Sequence, residues 1–502
     1  MRRHLLAAAA ALLLVSTGAQ LDAQTLKIAL AQDPDTLDPA KNWSFVGRVV
    51  LASVCDKLVD IAPDQTIVPL LATAWETTAD GKGLTLKLRP GVTFSDGEPF
   101  NAAAVKFNIE RELTLPGSRR KAEIAAVTGA TVIDDLTVRV DMKEPFSPLI
   151  AQFTDRAGMM VSPKAAADPN AKLDNNPICV GAFRVTDRLA QDHITVERVP
   201  SYWDKDNIHY EKVVYQPVPD TAVRLANLRS GQFELIEQLL PTDVEEVKKD
   251  PKLKVAAEVS LGYQGITINI DNGPKGNPAF KKPEVREALS LAIDREALNQ
   301  VAFAGQYLPG NQAQPPDNRF YNKSIPVPAR DVAKATALLK QAGYEQVTLK
   351  LLVPNYTEAL QVAQILQSMA AEAGINIELQ SIEFISMLQQ AKDGNSEADL
   401  VGWSGRVDPD GNISILLGCG NPGNDGHYCS KDLDAALARG RAESAFEKRL
   451  AAYNDAEAII ARDNPIIYLY HPQYMYGMTA RLQGFVPYPD GIIRLRGTSL
   501  KE

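Results

Sequence analysis

The sequence predicts an α/β protein of two lobes, and three observations carry that expectation. The first is length. The chain has 502 residues, 45% hydrophobic and 23% charged, an ordinary globular composition that excludes disordered, collagen-like and coiled-coil classes. A single core rarely grows past about 250–300 residues, so at least two core-bearing bodies are required. The second is an alternation of strand-like and helix-like periods along most of the chain. The third is a βαβ unit in the second half, which implies a right-handed crossover onto a parallel sheet that receives ligands at the carboxyl ends of its strands.

In chain order, the first residues read as an export address. Arg2 and Arg3 precede an apolar run from Leu5 to Val15, with Ala23 as the expected last residue of the signal and Gln24 as the start of the mature chain. The run is about half of the ~20 residues needed to cross a bilayer, no longer one follows, and no Cys stands at the cleavage site to take a lipid. Leu84-Thr85-Leu86-Lys87-Leu88 alternates like a half-buried strand, Arg89-Pro90-Gly91 turns it, and Asn101 is an N-cap for a helix through Glu112. Thr131 to Asp141 reads as strand, Asp-Asp turn, strand. Ala182 to Val199 and Glu211 to Pro217 are strand-rich.

In the second half, Pro283 to Ala304 and Asp331 to Ala342 read as core-packing helices. Val347 to Val353 then reads as a strand. A helix follows with Val362, Leu366, Met369 and Ala373 on one face, Gly374 stops it, and Ile375 to Leu379 is the next strand.

Export favours disulfides for an even cysteine count. Cys419 and Cys429 bracket a Gly/Asn/Pro/Asp-rich loop of hairpin length and are expected to be bonded. Spacing does not decide Cys55 and Cys179. A metal site at Cys419, His427 and Cys429 lacks a second ligand pair.

Catalytic motifs are missing: there is no HExxH, P-loop or nucleophile elbow, and the five His residues have no metal-ligand spacing. Gly418 to Gly423 matches GxGxxG, but Pro422 and the expected disulfide place it in a loop with no helix after it. No catalytic residue, metal or cofactor is expected. The net charge is −9 and no stretch gathers a basic stripe, so nucleic acid is not an expected partner.

Several segments together carry a family resemblance. Leu71-Ala72-Thr73-Ala74-Trp75-Glu76 through Leu86 to Gly97 is similar to the signature of extracellular solute-binding proteins of family 5, which serve dipeptide, oligopeptide and nickel ABC importers. Asn176 to Phe183, Val196-Glu197-Arg198, Tyr202-Trp203 and Leu225 to Gly231 resemble the family's middle block. Val285 to Leu289, Ala292-Ile293-Asp294-Arg295 and Ala337 to Tyr344 resemble its second lobe. The resemblance covers the mature chain in the expected order.

It implies a type II, cluster C periplasmic binding protein. Lobe I would span 24–262 with an inserted subdomain at about 63–176, and lobe II would span 263–476. Residues 477–502 would return to lobe I, with hinge crossings near Gly262 to Gly265 and near Tyr474 to Thr479. It further implies a monomeric receptor in the periplasm that closes on a small or peptide-like ligand and docks on an ABC permease in the inner membrane. The Cys55–Cys179 bond rests on the even count and this resemblance.

The family's ligand loop resembles Val401 to Asp410, where a Trp is followed three residues later by an Asp that holds the peptide ammonium. Here those positions are Trp403 and Arg406. Dipeptide-binding relatives place a carboxylate-binding Arg at the end of a second-lobe strand, where this chain reads Val353-Pro354-Asn355-Tyr356. The resemblance therefore points away from an ordinary free dipeptide and toward a carboxylate-bearing or modified peptide-like ligand. The ligand candidates are Arg406, Trp403, Asp408, Ser44, Phe45, Tyr263, Gln264 and Tyr356. Two alternatives stay open within the loop: Arg406 pairs with Asp408 or Asp410, and Trp403 is core rather than a stacking wall. Three alternatives remain for the whole chain: a standard peptide-binding protein, a periplasmic hydrolase and a periplasmic chaperone.

Overall fold

A computed structural model describes residues 24–271 and 275–501. The expected export segment, residues 1–23, lies outside the described residues. Two sheets organise the chain. One has seven strands in the order Leu253–Val259, Gln473–Thr479, Leu235–Ile236, Thr25–Leu30, Lys212–Pro217, His193–Arg198 and Phe183–Leu189. The other has six, in the order Leu308–Pro309, Ile466–His471, Tyr263–Ile268, Ala398–Trp403, Val347–Pro354 and Ile375–Ile382. These define the two lobes. A smaller four-stranded antiparallel sheet, Ala72–Thr77, Gly83–Leu88, Thr137–Met142 and Val127–Asp134, builds its own core from Phe94, Phe100, Ile109, Val138 and Phe153.

Local sequence explains the elements that frame the cleft. The Asn101 side chain accepts the Ala104 N–H at 3.1 Å and starts the helix Ala102–Thr114. Val347–Pro354 and Ile375–Ile382 pair in parallel. The helix between them, Thr357–Ala371, buries Val362 and Leu366, and Gly374 takes a φ of +86° just past its end, as a glycine beyond a helix C-terminus does.

One expectation is corrected. Pro283 to Ala304 is not a single helix but two, Pro283–Ala292 and Arg295–Phe303. The Asp294 carboxylate accepts the Ala297 N–H at 2.9 Å, a local cap that competes with continuing the first helix.

The chain passes between the large sheets at Ser260 to Gly262 and again at Pro472. Tyr263 to Gly265 already pair with the strand Ala398–Trp403. Tyr474 to Thr479, where the sequence reading puts the second crossing, pair with Leu253–Val259 in the seven-stranded sheet. The break falls at Pro472 because proline has no N–H to give a ladder. Both cysteine pairs are bonded, Cys419 to Cys429 and Cys55 to Cys179. No described helix is long and apolar enough to cross a membrane.

Candidate functional site: an arginine cluster between the lobes

The loop after the strand Ala398–Trp403 packs onto the first interlobe crossing. Gly405 has a φ of +79°, and a Cβ there would lie 2.1 Å from the Leu261 carbonyl carbon. A Cβ on Gly262 would lie 1.7 Å from the Trp403 oxygen. Only glycines allow this approach. His471, beside the second crossing, bonds the Gly262 carbonyl through Nδ1 at 2.7 Å. Burial pushes this histidine down to about 4, so it is neutral at physiological pH.

The same loop fixes Arg406. Its backbone N–H donates to Asn412 Oδ1 at 2.6 Å, and Asn412 Nδ2 donates back to its carbonyl at 2.9 Å. The side chain crosses to the other lobe, where Nε lies 3.4 Å from Asp155 Oδ2 and Nη2 lies 4.0 Å from Glu123 Oε1. Trp403 lies under its guanidinium at 4.8 Å and donates Nε1–H to Asn412. Trp403 is also a half-buried neighbour of the second-lobe core, so it is both platform and packing.

Three further arginines meet Arg406. Arg48 is the one charged residue of the helix Phe45–Val54, and its Nη2 is 3.1 Å from Asp155. Arg156 Nε is 3.4 Å from the same carboxylate. Arg120 binds Glu123 at 2.5 Å. Arg120 and Arg156 both donate to the Asn42 carbonyl, each at 3.1 Å. Burial by itself would raise the Asp155 carboxyl, but the surrounding guanidiniums, Arg48 first, hold it well below the usual range. Burial lowers Arg156 well below its ordinary value and repulsion from Arg120 adds to that; burial also lowers Arg406.

The other sequence candidates separate. Asp408 gives both oxygens to Arg449, at 2.7 and 2.9 Å, and Asp410 binds Arg441 at 3.2 Å, so neither neutralises Arg406. Asp408 is thereby a brace of the loop rather than a free cleft carboxylate. Ser44 is spent on capping: its hydroxyl donates to Asp35 at 2.6 Å and accepts from Gly47 N at 3.1 Å. Phe45 stacks on Tyr474, and Arg48 lies 5.6 Å above it, so it borders the cluster. Tyr263 faces the second-lobe core, edge-on to Tyr468 at 4.6 Å. Gln264, on the other face of that strand, is half-buried, and Tyr356 is exposed at the start of the helix Thr357–Ala371.

Sequence reading missed Arg48, Arg120, Glu123, Asp155 and Arg156. The available signal was charge in apolar company: a lone Arg in an otherwise uncharged helix, and Asp155-Arg156 between Phe153 and Met159-Met160.

The lobes also touch where Ser147 N donates to the Arg441 carbonyl at 2.8 Å and where Gln65 bonds Asp317 and Asn318. The cleft is therefore shut. Among the described residues, no group of three or more His, Cys, Asp or Glu side chains is placed to hold a metal. Two lobes joined by two short crossings, with charged groups converging between them, define a hinged binding protein. Residues 66–424 match the bacterial extracellular solute-binding proteins, family 5 middle, and the chain belongs to that family.

The glutathione-binding protein GsiB of Pectobacterium atrosepticum is 28% identical over 488 residues, covering 95% of this chain and 94% of that one. The Helicobacter pylori periplasmic binding protein DppA, in complex with the peptide STSA, matches with a TM-score of 0.84 at 25% identity, over 95% of this chain and 98% of that one. AgaA of A. tumefaciens R10, in complex with agropinic acid, matches with a TM-score of 0.83 at 25% identity, over 95% and 99%. The fold is that of the type II periplasmic binding proteins. Each of these relatives is named as a binding protein, and the Helicobacter pylori protein as one associated with an ABC transporter.

Proposed function

We propose that this chain is the monomeric periplasmic receptor of an ABC importer, that it performs no catalysis, and that it closes on a small or peptide-like ligand bearing a carboxylate. The carrying observation is Arg406, set on a loop packed against the hinge and aimed across the cleft. A guanidinium there offers a planar fork to a carboxylate and repels the ammonium of a free peptide. Asp155 and Glu123 could attract an ammonium, but each is already bound by arginine. Relatives named for glutathione and complexed with agropinic acid agree with an acidic ligand. The closed form would then present the ligand to the inner-membrane permease.

The test is small-angle scattering with calorimetry on the mature protein, titrated with glutathione, agropinic acid and an unmodified dipeptide. An acidic ligand should bind and reduce the radius of gyration. Tight binding of the plain dipeptide in preference to both acids, or an unchanged radius at saturation, would refute the reading.

A further inference from the structure

The charges in the cleft do not balance. Four guanidiniums, those of Arg48, Arg120, Arg156 and Arg406, face two carboxylates, Asp155 and Glu123. The remaining nearby acids are committed elsewhere. Asp38 is held at two points by Arg111; Asp60 is held by Arg494 and Lys57, and Asp490 binds Arg494 while its charge also reaches Arg48. Burial pushes the Glu112 carboxyl well above its ordinary value, against the pull of Arg120. Arg48 Nη1, Arg120 Nε and Arg156 Nε are buried without a hydrogen bond, as are the carboxylate oxygens Asp155 Oδ2, Glu123 Oε2 and Glu112 Oε2. All four arginines are nine-tenths or more buried. A buried surplus of positive charge is costly unless an anion comes to it.

We infer that the ligand brings two anionic groups into this cluster, one to Arg406 from the second lobe and one to the Arg120–Arg156 side of the first, so that the receptor selects small dianions of dicarboxylate type. The inference rests on the cleft being the ligand site. It adds a charge count to that reading: over the groups in ion-pair contact, a single carboxylate leaves one surplus guanidinium charge, and two leave none. It also assigns Arg120 and Arg156 a ligand role beside their hold on Asn42, with Arg406 as the group through which the second ligand charge draws the lobes together.

The probes are straight-chain dicarboxylates from succinate to suberate, each compared with its monomethyl ester, and Ala-Ala as the zwitterionic control. Binding is read by calorimetry and by melting of the mature protein. The best dicarboxylate should bind at least about tenfold more tightly than its monoester, since each charge-assisted contact is worth that much. That gap should shrink to within about threefold in Arg156→Gln and in Arg120→Gln, whereas Arg156→Lys, which keeps the charge, should retain part of it. A purely structural arginine would lower the melting temperature without moving the gap.

Equal binding of diacid and monoester would overturn the dianion inference while leaving the carboxylate reading in place. Binding of Ala-Ala alone would overturn both. No binding by any member of the series would mark the cluster as an internal ion network and overturn the inference.

Discussion

Removing the Arg406 side chain separates a ligand group from an interlobe strap. In the closed structure Arg406 lies 3.4 Å from Asp155 and 4.0 Å from Glu123. At an effective dielectric of about 20 these attractions amount to roughly 5 and 4 kcal/mol. Against them stand the desolvation of a buried guanidinium and repulsion from Arg48 and Arg120. The balance is unfavourable to the charge, because the net effect lowers the Arg406 ionisation below its ordinary value. Arg406→Ala should therefore leave unliganded stability within about 1 kcal/mol of wild type, since a buried charge goes with its partners' excess. Ligand binding should suffer by about 2–5 kcal/mol, roughly 30- to 5,000-fold in Kd, because a ligand carboxylate would be left unpaired. The assay pairs urea unfolding of the unliganded protein with calorimetry using glutathione or whatever small molecule co-purifies. A loss of more than 2 kcal/mol in unfolding with unchanged affinity would show that Arg406 only straps the lobes, and the reasoning from charge imbalance would fail.

Other consequences can be measured on the same material. Replacing Cys419 and Cys429, which close a loop of separation 10, by Ser should cost about 3 kcal/mol, and replacing Cys55 and Cys179, of separation 124, about 5 kcal/mol, if chain entropy dominates; denaturant midpoints in the reverse order would contradict this. Burial raises the Glu457 carboxyl to about 8, so between the unfolded value near 4.5 and pH 8 the folded state holds a proton that the unfolded state has lost, and stability falls as pH rises through that window. Glu457→Gln should accordingly stabilise by about 3 kcal/mol at pH 7 and flatten the slope; an unchanged pH profile by urea titration would refute the assignment. Gly405→Ala puts a Cβ against Leu261 at a positive φ and should cost about 2 kcal/mol or more while weakening ligand affinity. A variant with wild-type unfolding and binding would show that the loop is not wedged on the crossing.

Much of the architecture was legible along the chain because its signals are local. The alternation at Leu84–Leu88, the Asn101 cap, the Gly374 stop and the hairpin-length Cys419–Cys429 loop each act within a few residues, and each forms as its own neighbourhood dictates. Where two local signals compete, as at Asp294 against the helical run from Pro283, periodicity over a long window missed the cap that breaks it. The anomaly at Arg406 was also visible, because the resemblance assigns the amine-binding Asp to one position and an Arg stands there.

The company Arg406 keeps was not visible. Arg48, Arg120 and Arg156 stand on a helix, a loop and a short turn spread over more than a hundred residues, and only the packing of the small sheet against the first lobe brings them together around Asp155 and Glu123. The same holds for Asp408, read as a ligand group but claimed by Arg449, and for Tyr263, turned into the core by strand register. Sequence determined which groups exist and which short segments they occupy. Tertiary structure decided which charges share a buried volume, because electrostatic balance depends on distances in space between residues that the chain keeps far apart.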